Sequence, residues 1–367
     1  MRTRWLAGVG LALGLGIAGA SAQGLGTEAI RIPMDAAGPE SLDALVMTPG
    51  TPGRHPLALI SHGSPRSAAD RPGMSPRGML SQMTAYARRG FVAAAVMRGG
   101  YGTSSGGWAE GFGPCDDADY LKAGRAGAAD LWAAIASLAR RPNVDPARIL
   151  AVGRSAGGFA TVALTESPPP GLVAAISFAG GRGSQQADRV CSESVLIDTV
   201  RTFGSRSQVP MLWVYAEYDR FFRPDLAARL VAAFREGGGT ARFVAAPAYG
   251  SDGHGLFSQG GQPIWEPIVD AFLAAHGLPT AEDAPARDGA ALEPPPRVGV
   301  GGSKDFETYR AAASHKAFAV SAGGAYAWRT AQGTKAAAIE AALQRCELSA
   351  GGKPCRLYAV DDAYTAE

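Results

Sequence analysis

Ser155 lies in Gly153-Arg154-Ser155-Ala156-Gly157, with a glycine two residues away on either side. An uncharged run at 149–153 precedes it, and Phe159, Val162 and Ala163 follow at three- and four-residue spacing. This reads as a buried strand, a sharp turn and a packed helix, with the serine exposed at the turn. A hydroxyl there sits at a helix N-terminus, where free N–H groups stabilise negative charge. Serine is a poor nucleophile at neutral pH and needs a base, which in turn needs a group to hold it. Of five histidines, His254 alone follows the last strand-like run of the large region and is flanked by Gly253 and Gly255. It is the candidate general base. His55 precedes a strand, His62 reads as a turn residue, His276 ends the last helix, and His315 lies in a later segment. Asp219, past the strand-like run 210–215, is the candidate orienting acid; Glu217 and Asp252 are its rivals. The backbone N–H groups of Ala156 and Ser64 are the candidate oxyanion donors. Tyr101, Trp108 and Phe221 are candidate substrate contacts, although aromatics in such loops can equally serve to pin them.

The elements that must position these groups follow from periodicity. Strand-like runs at 28–33, 43–47, 56–60, 91–97, 149–153, 172–178, 210–215 and 242–245 alternate, from about residue 57, with helical patterns at 79–89, 130–141, 226–234 and 264–276. That order predicts an α/β fold with a mostly parallel sheet and helices on both faces. Ser64, Ser155, Asp219 and His254 each fall just past a strand's C-terminal end, where such sheets place their sites. The same glycine–serine string recurs at 102–106, but a glycine-rich loop rather than a helix follows it. A G-x-G-x-x-G at 14–19 lies in an apolar leader with no strand before it, so a nucleotide loop is discarded.

At these residues the chain resembles the α/β-hydrolase superfamily, and most of all its dienelactone hydrolase-related branch. The resemblance covers residues 27–277 and rests on H-G-S-P at 62–65, R-G-G-Y-G-T-S at 98–104, G-R-S-A-G-G at 153–158, E-Y-D at 217–219 and D-G-H at 252–254. It implies an α/β-hydrolase fold and the chain order serine, acid, histidine. Dienelactone hydrolases proper use cysteine as the nucleophile. Ser155 instead points to ordinary carboxylic esters. No long insertion resembling a lipase lid interrupts the strands.

The chain has 367 residues, 46% of them hydrophobic, which allows one large domain and a small one. A net charge of +2 calls for neither nucleic acid nor an acidic partner. Residues 1–22 read as a signal peptide, with Arg2 and Arg4, an apolar run and then Ala20-Ser21-Ala22, so export to the periplasm or medium is expected, without a membrane span. Four cysteines in an exported chain favour two disulfides over a metal or redox site: Cys346 with Cys355 across a glycine-rich turn, and by elimination Cys115 with Cys191. The expected division is 23–277 catalytic, 278–302 a Pro/Gly/Ala-rich linker, and 303–367 a small α+β module stapled by a disulfide. The module's ligand or partner is unassigned. The expected activity is ester hydrolysis through an acyl-enzyme, with no metal and no cofactor. A peptidase or amidase using the same residues is one rival; a non-catalytic binding protein on this scaffold is the other. Arg182, Arg189, Arg220 and Arg223 hint at an anionic substrate, and scattered surface charge explains them equally well.

Overall fold

A computed structural model describes residues 25–34, 40–283, 292–312, 315–330, 332–361 and 363–365. The expected signal at 1–22 lies outside the described residues. The strands of the large unit are β1 (Gly26–Pro33), β2 (Ser41–Thr48), β3 (His55–Ser61), β4 (Val92–Val96), β5 (Val144–Arg154), β6 (Leu172–Phe178), a small hairpin β7–β8 (Ser184–Gln186, Arg189–Val190), β9 (Met211–Ala216) and β10 (Ala241–Ala246). Its helices are α1 (Leu80–Arg88), α2 (Tyr120–Leu138), α3 (Ala156–Leu164), α4 (Glu193–Gly204), α5 (Pro224–Glu236) and α6 (Gln262–Ala275).

Eight strands form one sheet in the order β1-β2-β4-β3-β5-β6-β9-β10. β1, β2 and β4 pair antiparallel, and every pairing from β4 through β3 to β10 is parallel. The central strands are continuously apolar because both faces are covered. On one face Leu131, Phe159, Phe203 and Leu226, from α2 to α5, form a core. On the other, Met83 of α1 and Trp265 of α6 form a second.

The second unit contains α7 (Gly299–Ala311), β11 (Ala317–Ser321), β12 (Tyr326–Arg329), α8 (Lys335–Ser349), β13 (Cys355–Val360) and β14 (Ala363–Tyr364). Its antiparallel sheet runs β12-β11-β13-β14. Ala338, Ala342 and Cys346 of α8 cover one face, and Phe306 and Tyr309 of α7 the other. The Arg88 guanidinium joins the units, donating to the carbonyls of Ala311 at 2.7 Å and Ala312 at 3.2 Å. Among the described residues, no helix is long and apolar enough to cross a membrane.

The structure departs from the expected elements in several places, among them the β7–β8 hairpin, which no expected element announced, and β5, which begins at Val144. α2 begins ten residues early, because Asp119 caps it by accepting the Lys122 N–H at 2.8 Å. α4 occupies a stretch with no expected element. α7 begins inside the expected linker 278–302.

Candidate active site

Steric demand explains the turn at Ser155. Its φ is 55° and ψ −124°, a strained backbone for a residue with a side chain. A Cβ at Gly153 would stand 2.2 Å from the Gly157 carbonyl oxygen, and one at Gly157 would stand 2.3 Å from that of His62. Glycine is therefore required at both positions for strand, helix and the 61–64 turn to close together. Ser155 caps the N-terminus of α3 with no side-chain hydrogen bond to the helix. Among the described residues, neither the Ser64 nor the Ala156 N–H is bonded to an acceptor within the chain.

Asp219 and His254 meet across the loops after β9 and β10. The His254 Nδ1–H faces both Asp219 carboxylate oxygens at 3.1 Å. Asp219 is 1% exposed, and its Oδ1 also accepts the N–H groups of Phe221 at 2.8 Å and Phe222 at 2.9 Å. With Nδ1 protonated toward the acid, the neutral ring keeps its lone pair on Nε2. Phe221 stacks on the imidazole, centroids 3.9 Å apart at 13°. The rivals do other work. Asp252 accepts the His254 and Arg220 backbone N–H groups, while Glu217 is exposed. Among the described residues, no hydrogen bond joins Ser155 to His254; such bonds often tighten only when substrate is bound.

The other flank of Ser155 is a buried polar network that the sequence did not announce. Arg98 and Arg182 both pair with the Glu110 carboxylate. These two guanidinium groups outweigh burial and hold the Glu110 pKa down at about 2. His62 donates from Nδ1 to the Gly63 carbonyl at 2.6 Å and accepts the Arg98 N–H on Nε2 at 3.1 Å. Burial first, and then the Arg98 charge, push its pKa well below the usual histidine value, so it stays neutral. That agrees with His62 as a turn residue.

Between the flanks lies a cavity of about 130 Å³. Its wall includes Ser64, Ser155, Ala156, Trp108 and Phe221. Tyr101 is fully buried and is not part of that wall; its hydroxyl sits 3.0 Å from Ser64 Oγ. Arg66, Arg71 and Arg182 also line the cavity and, among the described residues, no carboxylate does. Of the arginines singled out from the sequence, Arg182 is neutralised by Glu110, Arg220 pairs with Asp188, and Arg223 pairs with Glu193 and Asp225. For these three, internal pairing removes the argument that they await an anionic substrate; Arg189 is exposed on β8 and does not line the cavity. The Cys115–Cys191 disulfide ties the loop before α2 to the segment that follows the β7–β8 hairpin. Cys346–Cys355 joins α8 to β13.

Residues 38–197 match the model of the X-Pro dipeptidyl-peptidase (S15) family. The Porphyromonas gingivalis dipeptidyl peptidase 4 structure superposes with a TM-score of 0.50 at 20% identity, over 70% of this chain and 36% of that one. The fold is that of the α/β-hydrolase superfamily. Esterase 2 of Thermogutta terrifontis is similar at 18% identity and TM-score 0.48, covering 71% of this chain and 97% of its own. An acetyl xylan esterase from Paenibacillus sp. R4 is similar at 16% and 0.48, covering 70% and 90%. No curated protein matches the chain. In this chain the family match ends within α4, so the strands that lead to Asp219 and His254 lie beyond it.

Proposed function

We propose that the chain is an exported serine hydrolase that cleaves carboxylic esters. One observation carries the reading: a strained serine at a helix N-terminus shares a cavity with Phe221, whose ring stacks on the Asp219-bound imidazole. Ser155 Oγ attacks the acyl carbon while His254 Nε2 takes its proton. Asp219 fixes the tautomer and stabilises the imidazolium. The Ser64 and Ala156 N–H groups receive the oxyanion. His254 returns the proton to the leaving alcohol, and water, activated by the same ring, releases the acid. The reaction needs no metal or organic cofactor.

The S15 match favours a peptidase as the second reading. An enzyme that cuts dipeptides from a free N-terminus must hold an ammonium group. The cavity here presents Arg66 and Arg71 and, among the described residues that line it, no carboxylate, a field that repels such a cation. Esters fit better. Both disulfides suit an oxidising compartment and so support export; cleavage after Ala22 is read from the small residues 20–22 alone.

The test is fluorophosphonate labelling of the mature protein, then turnover of short aryl esters against amino-acyl and Xaa-Pro anilides. Ser155-dependent labelling with ester preference is expected. Label absent from Ser155, or anilides cut faster than esters, sinks the reading.

A further inference from the structure

Glu110 belongs to no helix or strand, yet it is 2% exposed and collects donors from three side chains. Arg98 reaches it through Nε and Nη2, Arg182 through Nη2, and the Tyr101 hydroxyl lies 3.1 Å from Oε2. Two guanidinium groups fix the carboxylate in its ionised form, in which both oxygens can only accept.

The direction of the neighbouring bonds follows. Tyr101 has a single proton and stands within reach of both Glu110 Oε2 and Ser64 Oγ, at 3.1 and 3.0 Å. A carboxylate cannot donate, so the phenol proton goes to Glu110. The phenol oxygen then accepts from Trp108 Nε1 at 3.2 Å and from the Ser64 hydroxyl. Ser64 Oγ–H goes to that phenol oxygen at 3.0 Å in preference to the Pro65 carbonyl at 3.3 Å, which leaves its backbone N–H as the group able to face an oxyanion.

The rest of the turn hangs from the same carboxylate. Arg98 Nη1 donates to Ser61 Oγ and to the His62 carbonyl, both at 2.7 Å. Its backbone N–H holds His62 Nε2, whose ring holds the Gly63 carbonyl. Every residue from 61 to 64 is therefore gripped by Arg98, Tyr101 or a ring that Arg98 fixes.

We propose that Glu110 is the positioning residue of the oxyanion turn: through Arg98 and Tyr101 it aims the Ser64 N–H at the charge formed when Ser155 attacks. The proposal rests on the hydrolase reading above. Glu110 and Tyr101 touch no substrate and act only through the turn.

The test uses the full mature chain, an aryl acetate and a fluorophosphonate, with Tyr101→Phe, Ser64→Ala, their double variant and Glu110→Gln. Tyr101→Phe removes one link and should lower kcat up to about ten-fold, with KM little changed. The rate of fluorophosphonate labelling should fall by the same factor, because the phosphonyl oxygen uses the same donors. Ser64→Ala should cost a similar factor, and the double variant little more, since both break one relay. Glu110→Gln should lose more than Tyr101→Phe; if it does not fold, the Tyr101 and Ser64 cycle decides alone. Wild-type kcat in Tyr101→Phe, a change confined to KM, or multiplicative losses in the double variant overturn the proposal while leaving the hydrolase reading intact. A wild-type chain inert toward both ester and probe overturns the reading, and the proposal with it.

Discussion

The two flanks of Ser155 are built on opposite plans. On one, a single imidazole is held by a single carboxylate, and both sit on loops beyond β9 and β10. On the other, the turn at 61–64 is held by Arg98, Tyr101 and Glu110, with side chains almost wholly removed from water. The proposed chemistry explains the contrast. A group that accepts and returns a proton must keep an unpaired lone pair and some freedom. Donors that receive an oxyanion act best when already fixed, because reorganising them during the reaction would raise the barrier. On that proposal, sparse connection marks the flank that exchanges protons, and over-connection the flank that must not move.

The largest effects should fall on the sparse flank and leave the fold intact. His254→Ala should lower kcat by roughly 10⁴ to 10⁶ with the fold retained, since the Asp219 carboxylate keeps the Phe221 and Phe222 N–H groups. Asp219→Asn should cost about 10⁴ by holding the imidazole in the wrong tautomer. Steady-state kinetics on an aryl ester, together with thermal melts, check both. A stable Asp219→Asn protein with near-normal kcat would break the contrast, because the acid would then be structural.

On the over-connected flank stability should fall first. Arg98→Ala leaves Glu110 with one guanidinium and unties Ser61 and His62, so a loss of about 3–5 kcal/mol in urea unfolding is expected. A smaller loss, about 2–4 kcal/mol, should follow paired Cys115→Ser and Cys191→Ser changes, which open a 76-residue loop. Activity should drop with it, because this link anchors the segment that carries Arg182 and Gly183 of the cavity wall. If either change proves neutral in urea, the turn does not depend on its surroundings in the way the structure implies.

The same contrast governs what could be read from residues alone. The placement of Ser155, Asp219 and His254 was legible because each sits just past a strand end, and glycines are forced beside the serine and cluster around the histidine. The sheet was legible because strands buried on both faces are unbroken apolar runs. Glu110 was not, since an acid in a glycine-rich loop reads as a solvated charge and its partners lie 12 and 72 residues away. The repeated glycine–serine string at 102–106 likewise gave up its use only in space: Ser104 Oγ accepts the Asp43 N–H and donates to the Met97 carbonyl, fastening β2 to the end of β4. α4 did carry a signal, with Leu196, Thr199, Val200 and Phe203 at helical spacing, all buried. Its β-branched residues, Val195, Ile197, Thr199, Val200 and Thr202, favour a strand and mask that spacing. Tyr101 shows the limit of composition: an aromatic beside a candidate site looks like a substrate contact, and here its hydroxyl is turned to the scaffold.

The smallest expected effect tests whether the rigid flank also stores an electrostatic cost. Asp130 on α2 accepts the Gly99 N–H at 2.7 Å, which anchors the loop that leads to Tyr101 and Glu110. Burial raises its pKa from 3.8 to about 6, despite that bond, and the Glu110 charge adds to the shift. A raised carboxyl means the folded state holds the proton more tightly than the unfolded chain does. Asp130 therefore destabilises the fold above about pH 6, and the penalty fades as pH falls toward 3.8. Glu110 has the opposite sign: its folded pKa lies below 4.5, so the stability it lends is present above that pH and is lost as pH drops toward 2. Asp130→Asn keeps an oxygen for Gly99 and removes the charge. Its melting temperature should exceed wild type at pH 8, and the advantage should vanish near pH 4. A constant advantage across that range would mean that packing, rather than the buried charge, is responsible.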